Sequence, residues 1–243
     1  MGPPRHSLMK AGRDIAKPIL SEQDRFDVYE TTTYSRTEFL ATLPDQLGSS
    51  PIDASLDGKL QGHINSLQVN TALFTTSLST SDDLDAKATD LWNTVTELKR
   101  ITNGDNSKTL ALTRAFACLL LDAAAMNAAP NKKDEQTALR LIKIACRATE
   151  FCVKQEHVAL CAGILERAAD HEEVLANGGD EDLELVRGKA RAEYFSLRAL
   201  LVSCSTSCHD AELNRRSQAW KQDTLPVAES LSLIHISEPT RPY

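Results

Sequence analysis

Three groups of residues in this 243-residue chain have types and spacings that could do chemistry. Cys204, Cys208 and His209 combine thiols with an imidazole, the mixed ligation that suits zinc. The set is one ligand short of a tetrahedral site, and its spacing is wider than the two-residue knuckle of structural zinc sites. Cys152, His157 and Cys161 place an imidazole between two thiols, and a nucleophilic thiol needs such a base. His157, however, falls at a turn between helices, where it is expected to cap the next helix or face solvent. Asp170, His171, Glu172 and Glu173, followed by Asp180, Glu181, Asp182 and Glu184, carry groups that bind metals or move protons. Consecutive helical residues splay around the axis instead of converging, so these read as a solvated helix end and an acidic first turn. A Gly-rich phosphate loop, a GxSxG elbow and an HExxH pair are all absent from the sequence. The patterns therefore predict no catalytic residue, no cofactor-binding residue and no metal ligand, and they do not locate a partner-binding surface.

The remaining reactive or charged residues read as structural. Cys118, Cys146, Cys152 and Cys161 lie in apolar stretches, where free Cys behaves as a small buried hydrophobe. Lys132-Lys133 and Arg215-Arg216 are isolated basic pairs in a chain of formal charge -7, too few to form a nucleic-acid groove. Trp92 and Trp220 are expected to serve packing. Six Cys without an export signal point to a reducing compartment. Met1 to Leu20 has no apolar core of a secretory signal, and no run approaches the 18 or more apolar residues of a membrane span.

Helices must position these residues. Hydrophobic content is 42% but aromatics are only 5%, so Ala and Leu carry the packing, as close helix contacts require. Residues 1–35 mix Pro, Gly, Arg and Thr and read as a poorly ordered lead-in. Short helices are expected at Arg36–Leu43, stopped by Pro44, and at Leu56–Leu67, with a loop over Thr71–Thr80. Then five longer helices follow. The first starts at an N-cap Ser81 and carries Leu84, Ala88, Leu91, Val95 and Leu98 at helical spacing. The second, Ser107–Met126, is apolar most of the way round and must be buried on several sides. The third spans Asp134–Lys154 and the fourth His157–Ala176, ended by Asn177-Gly178-Gly179, with Gly available for a left-handed cap. The fifth begins near Asp180 and carries Leu183, Val186, Ala190, Tyr194, Leu197 and Leu201.

The fold class is all-α, with antiparallel helical hairpins forming a truncated tetratricopeptide-like α-solenoid. The third and fourth helices place Ala145, Ala148, Cys161, Leu165 and Ala168 at the fourth, seventh, twentieth, twenty-fourth and twenty-seventh positions of that repeat, where close helix crossing needs small residues. Residues 36–201 form the helical domain. Val202–Gln218 reads as an in-frame retained intron, since Val is encoded by GT-initial codons and Gln by CAG. Joining Leu201 to Ala219 restores a repeat hairpin with Phe195, Ala199, Leu225 and Ala228 in register, and residues 219–230 then start the next repeat helix. As written, Glu212 and Arg216 would take packed positions. The string Leu231–Arg241 matches one reading frame of a transposon-based sequencing-library adaptor, so residues 231–243 are expected to be foreign and the native chain to continue elsewhere.

The succession of Leu91–Arg100 (LWNTVTELKR), Leu112–Ala124 (LTRAFACLLLDAA), Glu166–Glu173 (ERAADHEE) and Arg191–Arg198 (RAEYFSLR) resembles the N-terminal part of the fungal meiosis-specific sporulation protein 22 family, which includes the Zip-four crossover proteins. The resemblance implies a non-catalytic solenoid scaffold in meiotic nuclei, associated with chromosomes, that promotes crossovers and synapsis by gathering other recombination proteins. It implies no catalytic residue and no cofactor. The alternative is a tetratricopeptide adaptor of an unrelated pathway, for example one gripping peptide C-termini, which needs Lys, Arg and Asn converging from successive first helices. No such set is visible in the sequence. A solenoid cut between repeats would also self-associate through its uncapped face.

Overall fold

The computed structural model describes residues 38–49, 52–69, 81–101, 107–128 and 134–205. Helix accounts for nearly all of them, and no strand occurs among the described residues. The lead-in 1–35, the Thr71–Thr80 loop, most of 202–218, residues 219–230 and the tail 231–243 lie outside them.

Helix α1 covers residues 38–48 and runs through Pro44 instead of stopping there. Phe39, Leu43 and Leu47 recur every four residues and are buried at 8%, 0% and 2% exposure, while Pro44 faces solvent. Burying that stripe outweighs the one backbone hydrogen bond the proline ring forfeits; each such side chain contributes about 1.5–3 kcal/mol. Helix α2, Leu56–Val69, buries Leu56, Leu60, Ile64 and Leu67 completely.

Helix α3, Ser81–Ile101, buries the predicted stripe Leu84, Ala88, Leu91 and Val95, with Leu98 partly covered. Ser81 is already helical, and its hydroxyl donates to the Ala124 carbonyl at 2.8 Å, tying α3 to the next helix. Helix α4, Ser107–Met126, is the centre of the fold. Every residue from Thr109 to Ala124 is buried, because α2, α3, α5 and α6 all lie against it. It is long and apolar enough to cross a membrane by length and composition, yet 89% of that apolar window is covered by its neighbours.

Helix α5, Glu135–Lys154, opens on Asp134, whose carboxylate accepts from the Thr137 amide at 2.7 Å. It closes on an unusual left-handed residue. Glu156 has φ 61°, and the amides of Glu156 and His157 return to the Val153 and Cys152 carbonyls at 3.0 and 2.9 Å. This paired 5→2 and 6→1 pattern normally recruits glycine. Gly178 and Gly179, expected to supply such a cap, do not take the left-handed conformation. Gly178 is instead a close approach: an added Cβ would run into the Glu135 carboxylate.

The predicted helix His157–Ala176 is two segments, α6 (Val158–Arg167) and α7 (Ala169–Ala176), joined at Ala168 where ψ opens to -8°. The bend lets both segments follow α5, which packs against each. A 3-10 turn, Glu181–Leu183, is capped by the Asp180 carboxylate and leads into α8, Glu184–Ser205. The last helix therefore continues past Leu201, and Val202 is buried at 5%. Val186, placed on the buried stripe from its spacing, is 36% exposed; Phe195 takes up core volume instead, at 5%.

Packing follows chain order. α3 lies on α4, α4 on α5, α5 on α6 and α7, and α8 on α5 and α6, while α2 reaches forward to α4. One continuous apolar cluster runs from Phe39 to Val202 through all of them.

Candidate functional site

Candidates from the sequence separate once placed. Cys118, Cys146, Cys152 and Cys161 are all buried, as expected for small hydrophobes. Burial pushes the Cys118 and Cys146 thiols well above the usual thiol range. Cys161 is raised first by its hydrogen bond with Cys152 and then by burial, and its thiol donates to the Thr149 carbonyl at 3.5 Å. Such thiols are poor nucleophiles because the thiolate is disfavoured. Among the described residues no group of three or more His, Cys, Asp or Glu side chains could hold a metal. Cys208, His209, Lys132-Lys133, Arg215-Arg216 and Trp220 lie outside the described residues.

His157 neither caps α6 nor faces solvent. It stands at the N-cap position without a side-chain cap bond, half-buried, with Nε2 enclosed and unpartnered. Desolvation, with Lys108 nearby, lowers its pKa against a smaller opposing effect of Asp57.

His171 does meet a carboxylate, but from another helix. Asp122 on α4 is 7% exposed and is the acceptor for two helices at once. Arg167 Nε donates to Asp122 Oδ2 at 2.6 Å, with Nη2 also paired to that oxygen, and His171 Nε2 lies 2.8 Å from Oδ1. A carboxylate only accepts, so Nε2 carries the proton. Arg167 Nη1 reaches the Leu67 carbonyl at 3.1 Å, drawing the end of α2 into the same network. Cys118 stands one turn before Asp122, but the adjoining space is about 10 Å³, the lower edge of what one water needs. The arrangement is a latch between α2, α4, α6 and α7, and it leaves no room for a substrate. Beside it, a groove of about 190 Å³ opens between the end of α4, the start of α5 and α7, with Met126 and Val174 at its mouth.

A second cluster lies along the seam where side chains of α3 and α5, each packed on α4, meet above it. At one end Arg140 of α5 binds Asp85 of α3 at 3.0 Å and Thr89 at 2.8 Å. At the other end three cations gather around the Phe151 ring of α5. Lys99 Nζ sits 4.0 Å from the Phe151 ring centre, Arg114 Cζ 3.8 Å and Lys154 Nζ 5.8 Å. Arg114 comes from α4 beneath the seam and is only 6% exposed. Its one hydrogen bond is a 3.3 Å contact to Thr96 Oγ1, its Nε is buried without a partner, and Trp92 lies 5.5 Å away. Among the described residues no carboxylate pairs with it. Desolvation and the nearby Arg147 lower its pKa, and desolvation, Arg114 and Lys154 lower that of Lys99. Aromatic contact with a desolvated cation is worth about 2 kcal/mol, which holds the guanidinium in place without neutralising it.

Sequence reasoning missed both clusters. Asp122 and Arg114 sit inside a helix whose signal is almost wholly apolar, and their partners lie 45 and 49 residues away for Asp122. The available signal was the presence of two charges within an otherwise buried helix. No family model, curated protein or solved structure matches this chain.

Proposed function

We propose that this chain is part of a non-catalytic interaction scaffold acting in meiosis, built as a tetratricopeptide-like α-solenoid and serving crossover recombination and chromosome synapsis. The observation that carries the solenoid is the order of packing: each longer helix lies against the next or the next but one. Ala145, Ala148, Cys161, Leu165 and Ala168, at the repeat's packing positions, are all buried, on α5, on α6 and at the junction of α6 with α7. The meiotic assignment rests on the sequence resemblance, and with it the chromosomal location and the recombination proteins as partners. A scaffold needs surface rather than a reaction centre, and the buried, high-pKa thiols and the closed Asp122 latch fit that. Leu185, Val186 and Leu200 leave α8 with 56%, 36% and 44% exposed apolar residues, a face that a following helix or a second copy would cover.

Deleting and tagging the gene in its native host tests the reading. Expected are protein confined to meiotic nuclei, and fewer crossovers with defective synapsis after deletion. Expression in vegetative cells with unchanged crossover frequency would overturn it.

A further inference from the structure

We infer that the cationic end of the α3–α5 seam is a docking site for an acidic, extended segment of a protein partner, held by the Lys99 and Lys154 ammonium groups over the buried charge of Arg114. This rests on the interaction-scaffold reading and supplies the chemistry of one partner.

Charge balance leads to the occupant. Three positive heads lie within 5.8 Å of one ring centre, and among the described residues the buried one has no anionic partner. Like charges so placed repel, and burial strengthens the repulsion by thinning the water between them. An incoming carboxylate pair relieves it. Lys99 and Lys154 are exposed and can reach a ligand, while Arg114 stays below and contributes through its field. The three heads share one aromatic ring, at 4.0, 3.8 and 5.8 Å from its centre, so more than one acidic side chain is needed to balance them. Alternate residues of an extended peptide stand roughly 6–7 Å apart, which suits two acidic side chains set over the ring.

The surroundings exclude a longer polyanion. At the far end of α3 stands Asp85, bound to Arg140, and beside the cluster itself Glu97, two residues before Lys99, is bound to Arg100. Glu150 and Glu193 also lie near each other, and desolvation and Glu150 hold the Glu193 carboxyl above its usual range against the pull of Arg147. A phosphate backbone running along the seam would meet these carboxylates, whereas a short acidic segment need not. Formal charge -7 over the chain points the same way.

The test uses the full chain and a fluorescein-labelled peptide of about twelve alternating Glu and Ser residues with an amidated C-terminus, followed by anisotropy around pH 7. Saturable binding is expected, lost when Gln replaces Glu in the peptide and weakened strongly in about 0.5 M NaCl. The double variant Lys99→Gln/Lys154→Gln should bind at least about tenfold more weakly, because each charge-assisted contact is lost. Lys189→Gln, an exposed lysine on α8, should bind like the parent. Thermal melting of all variants is recorded, and both positions changed in the double variant are exposed. An unaltered affinity in the double variant overturns the inference, as does no binding by the parent up to roughly 1 mM peptide. So does a peptide that binds only with a free C-terminal carboxylate, or a thymidine oligonucleotide of equal length that binds more tightly. Absence of peptide binding with crossover loss on deletion overturns this site and leaves the scaffold reading. Peptide binding with normal meiosis does the reverse.

Discussion

Replacing Asp122 by Ala removes the acceptor on which α4, α6 and α7 converge. Arg167 would keep only the Leu67 carbonyl, and His171 would lose its carboxylate. Breaking a buried ion pair by deleting one partner costs about 3–5 kcal/mol, because the other charge stays desolvated. Side-chain exposures of 19% for Arg167 and 10% for Asp122 allow some rehydration, which places the loss near 3 kcal/mol. For a domain of this size that is a fall in Tm of roughly 6–12 °C. The comparison is Arg140→Ala, which breaks a pair whose side chains are 42% and 39% exposed and should cost about 0.2–1 kcal/mol. Urea unfolding followed by helical circular dichroism measures both. The double variant Asp122→Leu/Arg167→Met should recover much of the loss, since no unpaired charge remains. If Asp122→Ala costs no more than Arg140→Ala, the latch is not the buried pair described here and the reasoning fails.

Three further outcomes follow from local geometry. Glu156→Gly should stabilise the chain by about 0.5–1 kcal/mol in the same urea experiment, because a left-handed C′ residue strains an L side chain; a loss of stability would contradict the cap. Gly178→Ala should lower Tm in the parent, where the new Cβ displaces Glu135 from Arg187, but not in a Glu135→Ala background, where nothing is left to displace. Equal effects in the two backgrounds would refute the contact. His157 has its pKa lowered by burial, so it is neutral in both states above about 6.5, and below that value the unfolded chain takes up the proton first. Stability should therefore be full above about pH 6.5 and fall as pH drops through and below it, and His157→Gln should flatten that acid limb of the Tm profile.

The sequence by itself determined the helices. Leu84, Ala88, Leu91 and Val95 recur at three and four, and Thr109 to Ala124 are apolar nearly all round; both patterns need only neighbours within a turn or two to be read. Ser107–Met126 is recovered to the residue, and the buried role of the four cysteines follows from the same apolar stretches. What local pattern could not supply is energy arriving from other helices. Pro44 stays helical because Leu43 and Leu47 are buried against the core, and Glu156 is left-handed because the return of the chain from α5 to α6 is held on both sides. Val186 lies in the same helix as Ala190 and Tyr194 but in its first turn, at the end of the packed face, and is left 36% exposed. The charged sites lie furthest from the reach of sequence. Asp122 with Arg167 and His171, and Arg114 with Lys99 and Phe151, come from separate helices, and each charge taken alone looks like a solvated residue. Only tertiary packing withdraws them from water, and in that environment one carboxylate becomes a latch and one guanidinium an unneutralised charge.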